Sequence, residues 1–145
     1  MDKDIYRLRL AKQTAQASKD PSTKVGAMIF DEFGRVVGSG YNGFPRGVKD
    51  LESRYNDRET KYMFVQHAER NALDFSNKSD LTGCTIYVWP LQPCNECAKS
   101  IVSKGISRVV SPRSPRERNA KSYEVAEIMF EEAGVKLDFI DIEKI

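Results

Sequence analysis

One histidine, one glutamate and two cysteines in this chain stand at spacings that suit metal-assisted proton chemistry. His67, the only histidine, precedes Glu69 by two residues in Val65-Gln66-His67-Ala68-Glu69-Arg70-Asn71-Ala72. Cys94 and Cys97, two of the three cysteines, lie in Pro93-Cys94-Asn95-Glu96-Cys97-Ala98, ahead of an apolar helical pattern. One imidazole and two thiolates give three ligands to a metal such as zinc, which favours four in a tetrahedron. The fourth position is then open to water, as in catalytic zinc sites. In the first turn of a helix, a residue two past a ligand projects from a different side of the axis, so Glu69 is not expected to share the metal with His67. It is expected at the open position. Zinc lowers the pKa of a bound water to about 7, and a carboxylate beside that water can take its proton and hand it on.

Each half of the pattern has a plainer meaning alone. A Cys-x-x-Cys can be a redox pair, and a single histidine is ordinarily a core or surface residue. A structural zinc site needs a fourth protein ligand. The spare cysteine, Cys84, follows Gly83 at the start of an apolar strand. Taken together, the two motifs favour catalytic zinc over structural zinc or no metal.

The elements that must position these residues are legible from periodicity and punctuation. Residues 4–18 read as a helix capped by Asp2 or Asp4, with Ile5, Leu8, Ala11 and Ala15 at helical spacing. Residues 25–30 and 35–40 read as a hairpin around Asp31-Glu32-Phe33-Gly34. Residues 41–62, rich in Gly, Pro, Arg and Asp, show no period and read as a long functional loop. Residues 67–75 form a second helix, 85–89 a third strand, and Pro90 to Pro93 a tight loop that delivers Cys94 to the head of a third helix closed by Lys104-Gly105. A helix N-terminus favours negative charge and so supports thiolates there. Residues 108–111, 122–133 and 135–140 read as strand, helix and strand. This order predicts an α/β fold: a single domain over residues 1–145, with a five-stranded mixed sheet and helices on both faces. A helix separates the last two strands, so they can run parallel through a right-handed crossover.

Composition bounds the function classes. With 23 basic and 21 acidic residues the net charge is +2, no broad electrostatic footprint for nucleic acid, though a small anionic substrate needs only a local basic cluster. Three cysteines, two of them committed to metal, leave no disulfide framework, so a reducing, cytoplasmic setting is expected. The charged start Met1-Asp2-Lys3-Asp4, with no apolar run behind it, predicts no signal peptide, and no apolar stretch is long enough to span a membrane.

His-x-Glu combined with Pro-Cys-x-x-Cys is the signature of zinc deaminases. On these residues the sequence resembles the cytidine deaminase superfamily, and within it most closely the deoxycytidylate (dCMP) deaminases. The likeness runs from Ser18-Lys19-Asp20-Pro21-Ser22-Thr23-Lys24-Val25-Gly26-Ala27 through Gly40-Tyr41-Asn42-Gly43-Phe44-Pro45-Arg46-Gly47 to Ala133-Gly134-Val135. The Gly-Tyr-Asn-Gly stretch and Lys61-Tyr62 look specifically like dCMP deaminases, and are less expected in tRNA adenosine deaminases or in deaminases of free cytidine.

The resemblance implies a three-layer α/β/α sandwich. It implies zinc on His67, Cys94 and Cys97, Glu69 as proton carrier, and hydrolytic deamination of dCMP to dUMP, a thymidylate precursor. It also implies that Asn42 hydrogen-bonds the sugar; an Asn in a Gly-flanked turn can equally serve the turn itself. Backbone groups near Ala68 could fix the exocyclic edge of the ring. A homohexamer is implied, with dCTP plus Mg2+ as activator and dTTP as inhibitor. After the fourth strand, where many relatives carry an aromatic residue, this chain has Ser111-Pro112-Arg113-Ser114-Pro115-Arg116. Arg113 and Arg116 can clamp phosphate or sit on a solvated connection. Lys24 and Arg46 flank the Asn42 hairpin and suit a 5′-phosphate. Otherwise they are surface charges, or Arg46 faces a neighbouring subunit or an allosteric nucleotide. Two rivals stand beside this reading. A tRNA adenosine deaminase needs a surface that grips a stem loop. A non-catalytic zinc-binding scaffold has no need of a carboxylate over an open metal position.

Overall fold

The computed structural model describes residues 1–115 and 118–145. Helix α1 (Lys3–Ala15) starts where Asp2 accepts hydrogen bonds from the backbone N–H groups of Asp4 and Ile5, at 2.9 and 3.2 Å. The hairpin β1 (Gly26–Phe30) and β2 (Val36–Tyr41) follows, then the short helices α2 (Glu52–Asn56) and α3 (Arg58–Phe64). Helix α4 (Ala68–Asp74), β3 (Thr85–Trp89), α5 (Asn95–Ser103), β4 (Arg108–Ser111), α6 (Ala120–Ala133) and β5 (Lys136–Phe139) complete the order, with a final 3-10 turn at Ile142–Lys144.

One five-stranded sheet runs β2-β1-β3-β4-β5. β1 is antiparallel to both β2 and β3, while β3, β4 and β5 are parallel, joined by α5 and α6. Successive strand residues point to opposite faces, and the core divides accordingly. Met28, Phe30, Tyr87 and Val110 pack with Leu8 and Ala11 of α1. Ala27, Ile29, Ile86, Val88 and Val109 pack with residues of α4, α5 and α6. The layers are therefore helix, mixed sheet, helix. The first layer is braced by Arg108, which donates to Asp4 at 3.0 and 2.8 Å and to Asp138 at 2.8 Å.

Two close approaches seat the helices. A Cβ at Gly26 would lie 2.0 Å from the carbonyl oxygen of Ala11, so α1 rests on that glycine. At Gly40 a Cβ would lie 2.6 Å from the Ala72 nitrogen and 2.8 Å from the Ala68 oxygen, so the backbone of α4 lies directly on β2. The outer edge of β2 is partly covered from the same side: Asn71 donates to the Tyr41 carbonyl at 2.8 Å, and the Asn77 N–H to that of Val37 at 2.9 Å.

Two expectations need correction. The first helix ends at Ala15, short of residue 18, because the N–H groups of Gln16, Ala17 and Ser18 turn back on the carbonyls three residues earlier. Residues 41–62 are not one long loop, since α2 and most of α3 fall in the stretch. Helices of five and seven residues are too short to show a 3.6-residue period. An aromatic cluster holds them: Phe44 stacks on Tyr55 at 4.1 Å between centroids and meets Phe64 at 5.5 Å, and Arg54 covers Phe64. Asp57 caps α3 by accepting from the Thr60 N–H.

Candidate active site

The expected metal ligands stand at the starts of two helices. His67 is the N-cap of α4, and its side chain makes no capping bond, so the ring is free to turn outward. Cys94 is the N-cap of α5, where its sulfur accepts from the Cys97 N–H at 3.5 Å. His67 Nδ1 lies 3.4 Å from Cys97 Sγ and 3.6 Å from Cys94 Sγ, and all three ligand atoms fall within 4.8 Å of one another. Zinc bonds of about 2.0–2.1 Å to nitrogen and 2.3 Å to sulfur in a tetrahedron put N···S edges at about 3.6 Å. The donor set fits zinc in both distance and chemistry.

Protons alone hold this cluster in a polarised state. Hydrogen bonds from Cys97 and His67 pull the Cys94 thiol down to about 4. The bond to Cys94 raises the His67 imidazole to about 9. The neighbouring Cys94 thiolate and burial keep Cys97 protonated. A divalent cation arriving here displaces protons that the folded chain has already gathered around one negative sulfur. Glu69, in the first turn of α4, is 5 % exposed, and burial pushes its carboxyl up to about 7 against the pull of His67. It lies beside the ligand set without belonging to it.

The segment that carries Cys94 is fastened from behind. The Gln92 N–H donates to Ser114 Oγ at 2.7 Å, and the Ser114 N–H returns to Gln92 Oε1 at 3.0 Å, both residues being almost fully buried. The Asn95 N–H donates to Ser122 Oγ, which donates in turn to Asn95 Oδ1. On the His67 side, Gly43 and Gln66 exchange backbone hydrogen bonds at 3.1 and 2.8 Å, tying the end of β2 to the residue before the ligand. A cleft of about 480 Å³ opens beside His67 and Cys97, lined also by Met63, Phe64, Arg70 and Glu96. Sequence spacing carries no sign of Gln92, Ser114 or Ser122, because their partners lie on other elements.

Residues 1–112 match the family described as "Cytidine and deoxycytidylate deaminase zinc-binding region". The chain belongs to this family. It is 42 % identical over 135 residues to the deoxycytidylate deaminase of Mus musculus, covering 90 % of this chain and 75 % of that protein. The deoxycytidylate deaminase of Homo sapiens is 41 % identical over the same shares. Among solved structures, the dCMP deaminase of cyanophage S-TIM5 in complex with dCMP and dUMP superposes with a TM-score of 0.72 at 26 % identity, over 95 % of this chain and 96 % of that one. The family zinc-binding region spans both ligand motifs.

The remaining expected site residues are placed as follows. Ala68 is buried at the head of α4. Asn42, 7 % exposed, has its amide held by three hydrogen bonds: Oδ1 accepts from the Val25 N–H at 2.9 Å, and Nδ2 donates to the Thr23 carbonyl at 2.9 Å and to Asp20 at 3.4 Å. Lys24 and Arg46 are exposed and form no ion pair among the described residues. Lys24 directly precedes the Val25 that bonds Asn42, and Arg46 follows Pro45 on the cleft wall. Arg113 lies over the Phe139 ring at 4.1 Å. Arg116 lies outside the described residues. Among the described residues, no helix is long and apolar enough to cross a membrane.

Proposed function

We propose that this chain hydrolyses dCMP to dUMP and ammonia. The observation that carries the reading is the buried Glu69 carboxyl beside three ligand atoms set at tetrahedral distances with one apex left to a small molecule. The deoxycytidylate deaminases among its relatives favour the same substrate. When bound, zinc supplies the Lewis acidity that makes a water nucleophilic near neutral pH. Glu69 accepts a proton from that water and delivers it to ring N3 as the water oxygen adds to C4. It then takes the remaining proton from the hydroxyl now on C4 and delivers it to the exocyclic amine, the C4–N bond breaks, and ammonia leaves with a carbonyl at C4. His67, Cys94 and Cys97 hold the metal. The two helix starts bring them together before substrate arrives, which limits reorganisation during reaction.

The Ala68 backbone is assigned to the edge of the base, Asn42 to a sugar hydroxyl, and Lys24 with Arg46 to the 5′-phosphate. Arg113 and Arg116 are the alternative phosphate or regulatory contacts. By family resemblance the enzyme works as a homohexamer in the reducing cytoplasm, activated by dCTP with Mg2+ and inhibited by dTTP. The test is product chromatography of the zinc-loaded protein with dCMP, dCTP, deoxycytidine and an adenosine-containing tRNA hairpin. Turnover should be confined to dCMP with weak reaction on deoxycytidine. Inosine from the hairpin, or no turnover at all, overturns the reading.

A further inference from the structure

Among the described residues, Lys61 and Asp20 form the one ion pair whose side chains are both nearly buried, at 7 % and 5 % exposure and 3.2 Å apart. Taking two charges out of water is costly unless further bonds satisfy them, and Asp20 is well supplied. Its Oδ1 also accepts from the backbone N–H groups of Ser22 and Thr23, at 2.8 and 3.3 Å, and its Oδ2 from the Asn42 amide at 3.4 Å. Ser18 closes the ring, donating to the Asn42 carbonyl at 2.8 Å and accepting from the Asp20 N–H. Lys61 belongs to α3, whose last turn is capped by a bond from the Val65 N–H to the Lys61 carbonyl at 2.8 Å, two residues before His67.

The consequence falls on Asn42. A side-chain amide has two donors on nitrogen and two acceptor sites on oxygen. Asp20 and the Thr23 carbonyl take both donors, which fixes which way the amide faces. Among the described residues Oδ1 accepts from Val25 alone, so one acceptor site remains. A flipped amide would set its oxygen against the Asp20 carboxylate and the Thr23 carbonyl. We propose that the buried Asp20–Lys61 pair is a positioning device that locks the Asn42 amide with its oxygen presented as an acceptor to a substrate hydroxyl. Lys61 neutralises the carboxylate that would otherwise be buried unpaired, and it anchors α3 to the same network. This rests on the dCMP reading above, and it names which atom of Asn42 meets the sugar and what aims it.

The experiment compares dCMP with 2′,3′-dideoxycytidine 5′-monophosphate, which lacks the 3′-hydroxyl, in the unsubstituted protein and in Lys61→Met, Lys61→Arg and Asp20→Ala. The unsubstituted enzyme should prefer dCMP by about tenfold in kcat/KM, the worth of one ordinary hydrogen bond. In Lys61→Met and Asp20→Ala the preference should shrink towards unity, chiefly through the KM for dCMP, with zinc still at one atom per chain. Lys61→Arg should retain most of it. Equal losses on both substrates overturn the proposal, because a pair that merely supports the fold would not distinguish them. A second measurement needs no turnover: the Asn42 side-chain NH2 resonances should exchange slowly with solvent in the unsubstituted protein and rapidly in Lys61→Met. Unchanged exchange refutes the positioning role even if the protein deaminates dCMP. Inactivity of the unsubstituted protein with slow exchange lost in Lys61→Met would instead refute the substrate reading and leave the locking of the amide supported.

Discussion

Replacing Gly40 by alanine tests whether the seat of α4 on β2 sets the metal geometry. The added methyl would stand 2.6 to 2.9 Å from the Ala72 nitrogen, the Ala68 oxygen and Asn71 Cβ, where ordinary contact begins near 3.4 Å. Two of these atoms are backbone, so no side-chain rotation relieves the clash, and α4 must retreat by about 0.8 Å. Overpacking of this kind costs roughly 1–3 kcal/mol, which for a chain of this size lowers the melting temperature by about 3–10 °C. The functional effect should be larger in proportion. His67 and Glu69 ride on α4 while Cys94 and Cys97 belong to α5, so the retreat opens the ligand triangle and moves the carboxylate off the reacting water. Misplacement by about 1 Å can cost about 10²-fold in rate. The assay is calorimetry, metal analysis and the fall in ultraviolet absorbance as dCMP is consumed. Gly43→Ala is the stability control, since a Cβ there meets nothing within 4 Å. A Gly40→Ala protein with unaltered melting temperature and kcat/KM within threefold of the parent would refute the reasoning.

Glu69→Gln keeps the size and removes the proton carrier, so zinc should stay at one per chain while kcat falls by about 10²–10⁴-fold; near-normal turnover would move the role elsewhere. His67→Ala and Cys94→Ala should each lose both metal and activity, and full zinc by metal analysis in either would overturn the ligand assignment. Lys24→Ala combined with Arg46→Ala should raise the KM for dCMP by one or two orders of magnitude, as loss of charge-assisted phosphate contacts would, with deoxycytidine turnover nearly unchanged. Parallel losses on the two substrates would send the search for phosphate to Arg113. Hydrogen bonds from Arg108 and Tyr87 hold the Asp4 carboxyl below its usual range, so its contribution to stability is present at neutral pH and fades as pH falls through the carboxylate range below about 4. Asp4→Asn should therefore melt lower than the parent at pH 7, with the gap closing in acid; a constant gap would contradict the linkage.

The legible parts of this protein were those whose meaning is local. Strands at residues 85–89 and 108–111 show as apolar β-branched runs between turn residues and match the observed β3 and β4. The helix starts at His67 and Cys94 are legible because the periodic pattern begins just after each. The hidden parts depend on distant partners. Lys61 stands out in the sequence only through the Lys61-Tyr62 likeness, and nothing near it announces that it is buried against Asp20, 41 residues earlier. Likewise α2 and α3 owe their order to stacking on Phe44, a contact no periodicity records. Ser114 meets Gln92 across 22 residues, and nothing near either residue announces the other.

The two edges of the sheet differ in what guards them against joining other sheets. β5 carries Lys136 and Asp138, charges that discourage another strand from docking alongside. β2, Val-Val-Gly-Ser-Gly-Tyr, carries no charge at all and leaves Val36 and Tyr41 partly exposed. Its protection comes from Asn71 and Asn77, which occupy the Tyr41 and Val37 carbonyls. Asn71 belongs to α4 and Asn77 lies just beyond its end, so the helix that carries Glu69 also serves as a guard rail for the sheet. Damage at its C-terminal end would be felt first as clumping in concentrated solution, with the chemistry at its N-terminal end still intact.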